Sequence, residues 1–235
     1  MLNRPIQHCP HDALPEVARA PAPWTLQGDG WIMLLRLPEA TRRDPRHLPP
    51  ELRARPVTGP SIVMFVDYSE SPAGPYRELL YIPGRFDLGA GQHAWSVTRI
   101  YVSTWESVVN GRLNWGIPKD HADFRRARAG RGETIHVEAS GRVVASLELA
   151  PRGPSLPVRG GLLPEAMRRL VQHYEGRRFE LAPLAAGRAG LARVTALESD
   201  PELFPDLAAA RVTMALRAPR FSLTFPIATV SPSLP

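Results

Sequence analysis

Proline most narrows what this chain can become, because 26 of its 235 residues are proline and they recur from one end to the other. A proline ring removes a backbone donor and clashes with the preceding turn, so it is kept out of helix interiors and central strands. Long helices are therefore excluded, and the elements must be short and joined by many turns and extended connections. That favours a β-rich fold. Five of the prolines (Pro5, Pro10, Pro15, Pro21 and Pro23) fall in residues 1–23, where apolar periodicity is weak. This segment reads as an arm packed over the body or over a neighbouring subunit, and residues 24–235 read as one domain.

Hydrophobic residues at 43% and charged residues at 22% are ordinary globular usage, which excludes disordered and fibrous classes. Cys9 is the sole cysteine, so neither an intrachain disulfide nor a cysteine metal site is expected. The N-terminus lacks a basic head followed by an apolar run, and no stretch approaches the roughly 18 apolar residues of a membrane helix. The expectation is a cytoplasmic protein with no membrane partner. A net charge of +6 suggests nucleic acid, but the arginines are spread along the chain without a binding motif, so the charge reads as solvated surface.

Turn chemistry and alternation mark the strands. Gly28-Asp29-Gly30 reads as a turn leading into the buried strand Trp31–Leu37, and residues 38–60 as a surface connection. Ser61–Tyr68 and Tyr76–Ile82 read as a hairpin turned at Ser71–Pro75. With a period of two, Tyr76, Glu78, Leu80 and Ile82 share one face, which places a carboxylate among apolar neighbours. Such a group needs a partner or a task. The alternative is that Glu78 faces water and Arg77 turns inward by its stem. Trp95–Ser103 reads as one strand after a turn at Gly89-Ala90-Gly91, and Ala122–Ala129 as one or two helical turns carrying Arg125, Arg126 and Arg128 outward. Thr134–Glu138 and Arg142–Leu149 form a hairpin at Ser140-Gly141, where His136 and Glu138 on one face read as a solvated surface rather than as metal ligands. Residues 150–162 read as a connection, Pro164–Tyr174 as the best helix, and Phe179–Leu181, Gly190–Leu197, Ala210–Leu216 and Arg220–Phe225 as further strands. A phosphate loop, a dinucleotide fingerprint, a G-x-S-x-G elbow and a zinc helix are all missing, and neither a cofactor nor a metal is expected.

Of the 29 lysines and arginines, 28 are arginine and one, Lys119, is lysine. Arginine keeps its charge, whereas a desolvated lysine amine can lose its proton and act as a nucleophile. A coding bias toward arginine explains the count equally well. The neighbours Trp115, Ile117 and Pro118 place apolar bulk beside the amine, which disfavours an ammonium.

Gly74-Pro75-Tyr76-Arg77-Glu78, followed by Gly111-Arg112 and then Pro118-Lys119, resembles the acetoacetate decarboxylase family over approximately Trp24 to Lys119 and more faintly beyond. The resemblance implies a mainly β fold, a single-domain antiparallel barrel or cone with a few short helices, assembled into homo-oligomers. It implies that Lys119 forms a Schiff base with a ketone and that Glu78 lines the same cavity. Tyr76, Arg112, Trp115, Asp120 and His121 are candidate substrate-binding residues, with Arg77 and Arg99 as further cations for a carboxylate. Three positions depart from the pattern: Asp120 replaces a second lysine, Asp29 an arginine and, without gaps, Val63 a glutamate. The expected function is a Schiff-base lyase acting on a small β-keto acid or related carbonyl compound, by decarboxylation or by aldol or dehydration chemistry. A noncatalytic small-molecule binder of the same fold is the alternative. A basic structural or nucleic-acid-binding protein is a third.

Overall fold

The structure, a computed structural model, describes residues 14–233; Cys9 and most of the proline-rich arm lie outside them. The chain runs through β1 (Trp24–Arg36), α1 (Glu39–Arg42), α2 (Pro50–Arg53), β2 (Val57–Thr58), β3 (Ser61–Glu70), β4 (Tyr76–Ile82), β5 (Arg85–Gly89) and β6 (Gln92–Trp95). It continues with β7 (Arg99–Val102), α3 (Trp105–Trp115), β8 (Lys119–His121), β9 (Asp123–Ala129), β10 (Gly132–Ala139) and β11 (Arg142–Arg159). A 3-10 turn, α4 (Glu165–Arg168), β12 (Leu170–Tyr174), β13 (Arg177–Leu181), β14 (Leu184–Ser199), β15 (Arg211–Phe225) and β16 (Thr229–Pro232) complete it. Strand accounts for 57% and helix for 11%, so the chain is mainly β, as its prolines require.

Ten strands form one sheet in the order β8-β7-β4-β3-β1-β15-β14-β11-β10-β9, and six form a second in the order β16-β13-β12-β6-β5-β2. The large sheet curls into a nearly closed barrel. Its concave face packs side chains from strands far apart in that order, including Met33, Phe65, Leu79, Ile135 and Leu147, into one core. Alternation sends the other set outward: Val66, Tyr68, Tyr76, Leu80, Ile100 and Val102 build a second core with α3, Leu170 and Leu181. Every ladder in the large sheet is antiparallel except β7 with β8. Parallel neighbours require a crossover, and α3 supplies it.

Charges tie β9 and β10 to β1, β3 and β15 across the barrel sheet. Arg126 donates to Asp29, Asp67 and Glu133 at 2.8–2.9 Å, and Arg217 pairs with Asp29 at 3.2 Å while lying over the Trp31 ring. Trp31 Nε1 donates to the same Glu133.

The structure corrects several expectations. Gly28 and Gly30 are not a turn but lie within β1, at a register shift against β15. Glycine is required there because β3 passes so close that a Cβ on Gly30 would sit 2.5 Å from the Phe65 carbonyl oxygen. Trp95–Ser103 is split between the two sheets. Residues 38–60 hold α1, α2 and β2, with Leu48 and Leu52 packed on Phe86. Ala122–Ala129 is strand, not helix, and Arg126 points inward to the carboxylates just named. Residues 150–159 continue β11, whose prolines pair only with β14 and straddle a register shift, and Pro219 sits at a shift that joins two expected strands into β15. The expected helix Pro164–Tyr174 keeps one turn and becomes β12, whose Leu170 and Val171 are buried while Met167 is half-exposed. The hairpins at Ser71–Pro75 and Ser140-Gly141 form as expected, with Gly74, Ser140 and Gly141 at positive φ.

Candidate active site

The crossover places the lysine. Thr104 caps α3 by accepting from the Ser107 amide, and Gly116, at φ +62°, ends the helix where a Cβ would run into the Phe179 ring. Ile117 and Pro118 then bring the chain back to β8, where Lys119 stands opposite Ile100. The lysine stem crosses α3 at Gly111, and a Cβ on that glycine would lie 2.6 Å from Lys119 Cδ and 2.8 Å from Cε. Glycine is the residue that lets a lysine chain pass over a helix at this distance.

Lys119 Nζ donates to Glu78 Oε2 at 2.9 Å, to Ser107 Oγ at 3.0 Å and to the Tyr76 hydroxyl at 3.3 Å. The Lys119 and Glu78 side chains are only 4% and 6% exposed, so the pair lies in dry surroundings. Glu78 is thus buried on the convex side of β4, among Tyr76, Leu80 and Ile82. Burial holds the Tyr76 and Tyr68 phenols well above the ordinary value, and the Glu78 carboxylate adds to both shifts. A hydrogen bond with Ser107 acts in the opposite direction on Tyr76. Both phenols therefore keep their protons, and they surround a carboxylate and an amine with hydroxyl groups.

Trp24, Leu26, Trp115, Ile117 and Phe225 supply apolar walls. Trp115 is fixed by a bond from its Nε1 to the Pro226 carbonyl at 2.7 Å and by an edge-on contact of 5.0 Å with Trp24. The cavity they enclose has a volume of about 20 Å³, room for about one water.

Asp120 does not face the amine. Alternation along β8 turns it to the far side, where its carboxylate meets Arg112 at 3.0 Å and Arg99 at 3.6 Å. Its charge is spent on two guanidiniums behind the strand. Arg112, 1% exposed, also donates from Nε to the Lys119 carbonyl at 2.9 Å, so it holds the lysine's backbone rather than facing the cavity. Arg99 donates to the Leu203 carbonyl and Arg77 to Asp67 and the Phe124 carbonyl. His121 stacks on Trp105 at 4.8 Å. Of the departing positions, Asp29 binds Arg126 and Arg217, and Val63 lies in the barrel core, both on the concave side. His136 is exposed beside Ser146, and among the described residues no three His, Cys, Asp or Glu side chains converge as a metal requires. Among the same residues no helix is long and apolar enough to cross a membrane.

Sequence reasoning missed Ser107 and Tyr68. Ser107 and Gly111 are four apart on a helix whose signals were Thr104 as a cap and Gly116 as a stop. Tyr68 stands opposite Tyr76 in the hairpin register, so the turn alone pairs them.

Known proteins agree with this arrangement at the level of fold. An acetoacetate decarboxylase from Legionella pneumophila superposes with a TM-score of 0.68 at 14% identity, over 92% of this chain and 91% of that one. An acetoacetate decarboxylase-like enzyme from Sphingomonas wittichii gives 0.65 at 16%, over 91% and 94%. The enduracididine biosynthesis enzyme MppR complexed with pyruvate gives 0.60 at 14%, over 89% and 90%. No curated protein matches the sequence. The acetoacetate decarboxylase family model matches residues 42–204, which include the hairpin carrying Glu78, the crossover helix and Lys119, and the chain belongs to that family.

Proposed function

We propose that the protein is a Schiff-base lyase acting on a small β-keto acid or related carbonyl compound. The observation that carries this reading is the amine of the only lysine, buried at 2.9 Å from a buried carboxylate. Lys119 passes a proton to Glu78 Oε2, and the freed Nζ electron pair bonds to the ketone carbon. After a proton moves from nitrogen to the former carbonyl oxygen, Glu78 protonates that oxygen and it leaves as water. The resulting iminium draws in the electron pair of the bond to the carboxylate, and carbon dioxide departs. A substrate carboxylate held among Trp24, Trp115 and Phe225 is poorly solvated, which favours a transition state that disperses its charge. Glu78 takes a proton from water and delivers it to the enamine carbon, and hydrolysis frees the amine, so one proton is consumed per carbon dioxide released. Tyr76 and Ser107 hold Nζ through these steps.

Capture of an aldehyde by the same enamine is the second reading. It is favoured by the fold shared with MppR, which was obtained with the condensation product of pyruvate and imidazole 4-carboxaldehyde. The test is incubation with acetoacetate or pyruvate, borohydride reduction and intact-mass measurement. We expect one adduct, lost in Lys119→Ala. No adduct, or one that persists in the variant, leaves a noncatalytic binder, a reading that the small closed cavity favours.

A further inference from the structure

The cavity at Lys119, about 20 Å³, has no room for a substrate's tail, yet a much larger one lies on the same convex face of the barrel sheet. Its volume is about 600 Å³, within the usual range for small-molecule pockets, and its floor is Ile32, Met64, Val66, Tyr68, Phe221 and Leu223. Its far wall is formed by Pro157–Arg159 of β11, by Gly160 after it and by Ala185–Ala189 of the paired strand β14. The floor is apolar, and the only ionic side chains in the lining are the exposed Arg159 and Arg188.

Tyr68 of the larger cavity and Tyr76 of the smaller one are neighbours. Tyr68 forms part of the larger cavity's floor, its ring lies 4.8 Å from the Tyr76 ring, and its hydroxyl acts on Glu78. Lys119 Nζ lies 4.8 Å from the centre of the Tyr76 ring. Two aromatic rings thus stand between the amine and the larger cavity, and a turn of both about their side-chain bonds would join the spaces. Resting on the Schiff-base reading above, we infer that the larger cavity takes the apolar tail of the carbonyl compound bound by Lys119. The substrate class is then a 3-oxo acid, or its ketone, carrying a long alkyl or aryl chain rather than acetoacetate itself. A charged or strongly polar tail finds no partner on that floor, whereas each buried methylene adds affinity.

The test is borohydride trapping across a chain-length series: acetoacetate, 3-oxooctanoate and 3-oxododecanoate, with acetone and 2-undecanone as neutral counterparts. Half-saturation should fall with length, by up to about fourfold per methylene while the tail is being buried. Ala185→Trp places a bulky ring in the cavity from an exposed position of β14 opposite Leu223, and Val158→Trp does so from the adjoining strand β11. Both variants should flatten the series and leave acetoacetate trapping unchanged. Adducts at every length with no dependence on length overturn the tail assignment alone. So does an Ala185→Trp variant that changes the molecular mass of the assembly in light scattering but not the series, since the cavity is then a contact between copies. No adduct with any probe overturns the Schiff-base reading itself.

Discussion

Gly111→Ala separates the chemistry from the stability of the fold. The new methyl carbon would lie 2.6 Å from Lys119 Cδ and 2.8 Å from Cε, where carbon atoms normally rest about 3.5–4.0 Å apart. The lysine stem must therefore retreat by about 1 Å. It is nearly fully buried, with Tyr76 below its amine, so the displacement is transmitted to Nζ and to its bond with Glu78. A misplacement of that size at a reacting atom costs on the order of 10²-fold in rate. Stability moves far less, because alanine in a helix interior gains about 1 kcal/mol over glycine and overpacking costs about 1–3 kcal/mol. The assay is borohydride trapping with acetoacetate beside a chemical denaturation curve. With one lysine in the chain, reductive methylation with labelled formaldehyde gives a lysine signal that belongs to Lys119 alone, and its shift reports the amine's surroundings. A Gly111→Ala protein that traps ketone within about twofold of the parent, with an unmoved lysine signal, would refute the argument that the stem is wedged against this helix.

Glu78→Gln removes the acceptor of the lysine's proton and should lower turnover by about 10²–10⁴-fold, measured as proton uptake during decarboxylation. Asp120→Asn takes from Arg112 and Arg99 the carboxylate they share. It should cost about 3–5 kcal/mol in denaturant unfolding, whereas exposed Glu202→Gln should change little. His47 is held down to about 4 by burial and by the charge of Arg99, with its Nε2 at 3.0 Å from the Pro201 carbonyl. The unfolded chain takes up that proton near pH 6.5 and the native state only near 4. Stability should therefore fall as pH drops through this window, by about 3 kcal/mol in all, and His47→Gln should remove that slope from the unfolding free energy.

The hairpin carrying Glu78 is legible in the sequence because Ser71–Pro75 can only turn, and alternation then fixes which side chains go inward. The motif around Lys119 is legible for the same reason: its composition is unusual at every position. The helix beneath it is not. The buried residues of α3 are Ser107, Val108, Asn110, Gly111, Arg112 and Trp115, and with polar or small residues at four of the six the apolar period is too sparse to find. Conversely, Met167, Leu170, Val171 and Tyr174 give helical spacing by accident, since they belong partly to one turn of helix and partly to β12. The role of Asp120 could not be read from adjacency, because in a strand the next residue points the other way. Nor could the inward turn of Arg126, which depends on carboxylates contributed by three other strands.

The concave side of the barrel is filled by core side chains and by the linked charges of Asp29, Asp67, Glu133, Arg126 and Arg217. The barrel serves as a keel, while the Lys119 amine rides outside the hull, between β4 and the helix α3. Exchanging Trp24, Phe225 or Leu223 can then recast what the protein accepts without touching the ballast that keeps it folded.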